Sequence, residues 1–80
     1  MIKLNKQVES LENVIERLEE KIEALEEHIE VIKDKADLHD RDLTENEEER
    51  IEKLEQQIDE LRYEIDEIEN ALDYLRDFTD

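Results

Sequence analysis

Residues 36–51 read ADLHDRDLTENEEERI, and this stretch decides the fold. Asp40, Asp42, Thr44 and Asn46 are poor helix-interior residues, because their short polar side chains compete for the backbone. Thr44 and Glu47 form a Thr-x-x-Glu capping box, the signature of a new helix start. Asp42 and Glu45 suit the positive end of that helix. The reading is a chain reversal over residues 40–44. A competing reading is an unbroken helix. Leu43 continues the upstream repeat, but Ile51 follows it by eight residues instead of seven. A skip near residues 43–51 would absorb that extra residue, and the chain has no Gly to supply an easy helix C-cap.

Outward from this stretch, both flanks carry the same pattern. Upstream, apolar residues fall at Leu4, Val8, Leu11, Ile15, Leu18, Ile22, Leu25, Ile29, Ile32 and Ala36. Downstream they fall at Ile51, Leu54, Ile58, Leu61, Ile65, Ile68, Leu72 and Leu75. The steps alternate between three and four, a heptad repeat with Val8 and Ile51 at a, and Leu4 and Leu54 at d. Such a repeat places one narrow apolar stripe on each helix and implies supercoiling with a partner helix. The predicted seam runs through Leu11, Ile15, Leu18, Ile22, Leu25, Ile29 and Ile32 in the first helix. It continues through Ile51, Leu54, Ile58, Leu61, Ile65, Ile68, Leu72 and Leu75 in the second.

The expected fold is therefore all-α: an antiparallel helical hairpin with heptad, coiled-coil packing. Residues 1–80 form one coiled-coil domain, with helix 1 over about 2–39, a turn over about 40–44 and helix 2 over about 45–78. Pairing a with d in antiparallel layers sets Ile29 beside Leu54, Ile22 beside Leu61 and Ile15 beside Ile68. The alternative is a long parallel dimeric coiled coil with the skip near 43–51. It is supported by Ile or Val at a with Leu at d. At 1.5 Å per residue the rod would be about 120 Å long and the hairpin roughly 55–60 Å. A lone two-helix hairpin has a thin core. Val14, Ala24, Val31 and Leu38 beside the first seam, and Ala71 and Tyr74 beside the second, widen the apolar stripe. Self-association, to a four-helix bundle, is the expectation.

Composition narrows the function classes. The 80 residues hold 28 acidic and 11 basic side chains, a net charge of -17, with no Gly, Pro, Cys or Trp. Gly-rich phosphate loops, disulfides, thiolate metal sites and Cys nucleophiles are thus absent. A basic nucleic-acid-binding surface does not fit this charge, so no direct nucleic-acid contact is expected. No apolar run is long enough for a membrane span, and a cytoplasmic protein with no membrane contact is expected. The two histidines, His28 and His39, lack Glu-x-x-His or His-Glu-x-x-His spacing, so neither a metal nor a cofactor is expected. An EF-hand loop starting at Asp40 would need Gly at Glu45 and Glu at Ile51. A general acid needs a carboxyl in a desolvated pocket, which a two-helix coil scarcely offers. The expectation is a protein that is not an enzyme.

The charge is uneven, with -13 of the -17 falling on residues 37–80. In helix 2 the b positions Glu52, Asp59, Asp66 and Asp73 are acidic, flanked by Glu60 and Glu67 at c. These six form the candidate partner-binding acidic face. Tyr74 and Phe78, one turn apart, are the candidate aromatic contact. The leading functional expectation is a coiled-coil interaction or assembly module, whose partners are itself and an unidentified protein. The alternative is an acidic nucleic-acid mimic that inhibits a DNA- or RNA-binding protein, of the kind a virus encodes against host defence. No motif of a particular family accompanies the charge.

Overall fold

The computed structural model describes residues 2–79, and the side chains of residues 6–77. Helix α1 spans Ile2–Leu38 and α2 spans Glu45–Thr79. They pack against each other as an antiparallel hairpin, with no strand among the described residues. The molecule measures 58 × 16 × 14 Å, the length expected of a 37-residue helix at about 1.5 Å per residue. The unbroken parallel rod is not formed. α1 stops at Leu38, and the extra residue between the two repeats is taken up by the turn.

The turn is built from the polar residues at its centre. The Arg41 amide donates to the Ala36 carbonyl at 3.1 Å, and the Asp40 amide donates to that of Asp37 at 3.0 Å. These two bonds close a Schellman motif, in which one residue must be left-handed. Asp40 takes that place, with φ of 51°. Asp tolerates the left-handed region better than most residues, so the chain turns without Gly. Thr44 then caps α2. The Glu47 amide donates to Thr44 Oγ1 at 3.1 Å, and the Thr44 amide donates to Glu47 Oε1 at 2.9 Å. That is the reciprocal capping box of the sequence. Arg41 locks it from the other side with a two-pronged bridge to Glu47, at 2.7 and 3.1 Å. The two guanidinium nitrogens and the Thr44 amide thus converge on the Glu47 carboxylate, holding its pKa down to about 2. Its bond with Arg41 is the largest cause, followed by the Thr44 amide. The same bond raises the Arg41 pKa.

Packing divides the seam into two unequal rows. At a positions, Ile22, Ile29, Ala36, Ile51, Ile58, Ile65 and Leu72 are buried, and Val8 and Ile15 are half-buried. Among the described d residues only Leu54 is buried, while Leu11, Leu18, Leu25, Ile32, Leu61, Ile68 and Leu75 are half-buried. On the side where the e positions meet, Ile29 shares a groove with Ile58, Ile22 with Ile65 and Ile15 with Leu72. Leu43 precedes the Thr44 cap and packs onto the core, and Ala36 at the same end is 3% exposed. Leu38 is 82% exposed, and His39 lies beyond α1, outside the seam.

Candidate functional site

The antiparallel fold decides which side chains share a surface. When a helix is reversed, its e positions face the e positions of its neighbour. Two interhelical ion pairs among the described residues follow this rule: Arg62 with Glu26 at 3.4 Å, and Arg76 with Glu12 at 3.3 Å. Both lie at e positions, so the e and b positions of both helices form one face. Within residues 9–37 and 51–76 there are 17 such positions, 14 acidic and three basic. A shallow groove on this face is lined by Glu23, Glu26, Glu27, Glu30, Glu52, Glu55 and Asp59, with Arg62 the one cation among its lining residues.

The opposite face is made of g and c positions. In α1 these read Gln7, Ser10, Val14, Arg17, Lys21, Ala24, His28, Val31, Lys35 and Leu38, without an acidic residue. In α2 they read Arg50, Lys53, Gln57, Glu60, Glu64, Glu67, Ala71 and Tyr74. The half-buried d row lies between these two strips, and Leu11 and Leu75 line a shallow apolar groove there with Lys6, Gln7 and Ser10. Val31 is 58% and Tyr74 66% exposed on this side. One side of the hairpin is therefore highly acidic over the better-buried a row. The other is nearly balanced in charge over an open d row.

Against this geometry the expected site residues separate. Glu52, Asp59, Asp66 and Asp73 lie on the acidic face, as one of its two rows. Glu60 and Glu67 occupy positions on the other side. Tyr74 is exposed there too, and the Phe78 side chain lies outside the described residues. The sequence reading missed the row that α1 contributes: Glu9, Glu16, Glu23, Glu30 and Asp37. Its signal was the run of acidic b positions from Glu9 to Asp37, hidden by the lower net charge of that half. Tyr63 is exposed at an f position and hydrogen-bonds Glu67 one turn on, which raises the Tyr63 pKa.

Among the described residues no polar or charged residue is buried, and no group of three or more His, Asp or Glu is placed to hold a metal. No helix is long and apolar enough to cross a membrane. The grooves are open, and among the described residues no carboxyl that lines them is buried. What the arrangement offers is two long surfaces of different chemistry. No family model matches the chain, and no curated protein or solved structure matches it.

Proposed function

We propose that the chain is a non-enzymatic interaction module, a coiled-coil hairpin that assembles with other helices and first with itself. The observation that carries this reading is the difference between the two rows of the seam. Seven a residues are buried, with Val8 and Ile15 half-buried towards the start of α1, whereas among the described d residues Leu54 alone is buried and seven aliphatic ones remain half-buried along one side of the molecule. An apolar stripe wider than one neighbour can cover is the feature that a further helical layer buries. A four-helix bundle is the simplest assembly of two such hairpins. The acidic face is left free for a second, unidentified protein partner.

The test is sedimentation and light scattering of the whole chain over a wide concentration range, repeated with Ile22→Asp and Ile58→Asp. Both residues belong to the buried a row. Each substitution is expected to abolish assembly and partner binding together. Assembly retained in both variants would contradict the reading.

The acidic face supports a second reading, that of a nucleic-acid mimic blocking a basic channel. Seventeen net charges over 58 Å come to one per about 3.4 Å, close to the ~3.4 Å spacing along one DNA strand. Under this reading, Lys at Glu52, Asp59, Asp66 and Asp73 removes binding to the partner while helicity stays intact. Binding that survives in that folded variant argues against mimicry.

A further inference from the structure

We infer that the face of g, c and d positions is a self-association surface, and that α1 of one copy lies on it over α2 of a second copy. This inference rests on the assembly reading above and specifies its interface. Three observations converge on it. The first is coverage, since the half-buried d row opens on this side alone, with Val31 and Tyr74 exposed beside it. The second is area. A face of 58 × 16 Å is on the order of 900 Å², against the ~800 Å² per partner of a standard protein interface.

The third observation is charge, and it selects both the occupant and its orientation. At -17, two copies repel through their acidic faces. On the g and c positions, Arg17, Lys21, Lys35, Arg50 and Lys53 oppose only Glu60, Glu64 and Glu67. None of these five cations takes part in an ion pair within the hairpin, whereas Arg62 and Arg76 on the acidic face do. The charges are also sorted by helix. Away from the turn, the cations stand on α1 and the carboxylates on α2.

Two hairpins meeting face to face have two symmetric arrangements. A two-fold axis across the helices would put α1 on α1, with cations against cations. An axis along the hairpin puts α1 on the second copy's α2, at the same height, with both turns at one end. Ile22 and Ile65 line one groove and Glu26 pairs with Arg62, so Arg17 and Lys21 lie within about one helical turn of Glu64 and Glu67 in height. The second arrangement therefore brings opposite charges together twice, once at each symmetry-related contact. At the turn end Lys35 would meet Arg50 and Lys53 of the second copy, a repulsive exception that provides a control.

The experiment measures self-association of the whole chain by sedimentation, with helicity followed in parallel. Arg17→Glu with Lys21→Glu in one chain, and Glu64→Lys with Glu67→Lys in another, are each expected to weaken it at least tenfold. Mixing the two variants restores it, because both contacts of the mixed dimer become attractive. Lys35→Glu tightens the wild-type dimer severalfold. If a charge variant loses its helicity, Val31→Asn is read instead; Val31 lies outside the hairpin's own seam and should weaken association without loss of helix. Wild-type association unmoved by these changes would overturn this interface and leave the assembly reading standing on another surface. Variants that weaken but are not rescued by mixing would overturn the orientation. A wild-type chain that is monomeric throughout would overturn the interface and the self-assembly reading together.

Discussion

Replacing Asp40 distinguishes a turn from a helix by the sign of its effect. Asp40 is the left-handed residue of the Schellman motif, at φ 51°. That region costs a residue with a Cβ about 1–2 kcal/mol, less for Asp, and costs Gly nothing. Gly gives back part of the gain through its greater freedom in the unfolded chain, about 0.5–1 kcal/mol. The net expectation for Asp40→Gly is a stabilisation of about 0.5 kcal/mol, or roughly 2–4 °C in Tm for a domain of this size. Asp40→Ala should destabilise by a similar amount, because Ala loses the local hydrogen bonding that lets Asp tolerate this conformation. Inside a continuous helix both signs reverse. Gly would lose about 0.3 kcal/mol relative to Asp and Ala would gain about 0.6. Thermal melts followed by circular dichroism, at one fixed chain concentration, read both variants directly. A Tm that falls with Gly and rises with Ala refutes the turn.

Three other outcomes follow from the same structure. Thr44→Ala removes the hydroxyl that accepts from the Glu47 amide and should cost about 1 kcal/mol in urea unfolding, with faster amide exchange in the first turn of α2; an unchanged midpoint would mean that the cap contributes nothing. The folded-state pKa of Glu47 lies below its ordinary 4.5, so its contribution is present above about pH 4.5 and is lost as pH falls towards about 2. The Tm gap between wild type and Glu47→Gln should therefore be open at pH 7 and close between pH 4.5 and 2; a constant gap would contradict the Arg41 clamp. Added salt should raise the wild-type Tm, since shortening the Debye length from ~30 to ~3 Å screens the repulsion of -17, whereas a fall would mean that ion pairs outweigh it.

The local chemistry of the turn was legible where one residue carries one role. Thr44 and Glu47 make the capping box that their spacing announces, and the a residues Ile22, Ile29, Ile51, Ile58 and Ile65 form the core. The C-cap was harder to read, because Asp40 fills a place usually signalled by Gly. Periodicity does not fix the register, because an antiparallel pair can slide by half a heptad and still match apolar to apolar. The two faces needed the topology first, because Glu26 meets Arg62 only once α2 is reversed. Counted by halves of the chain, the acidic excess falls on α2. Counted by heptad position, the acidic residues occupy one side of both helices.

The central claim is that one chain folds back on itself, and an intrachain distance tests it most directly. The chain has no Cys, so Asn13→Cys and Asp77→Cys, both at exposed positions, give two unique spin-label sites. Labelled chains diluted into excess unlabelled chain report only the separation within one molecule. Helices packed about 10 Å apart predict a label separation below about 30 Å, whatever the oligomeric state. A separation near 95 Å, the length of about 64 residues of unbroken helix at about 1.5 Å each, would contradict the hairpin and the surfaces derived from it.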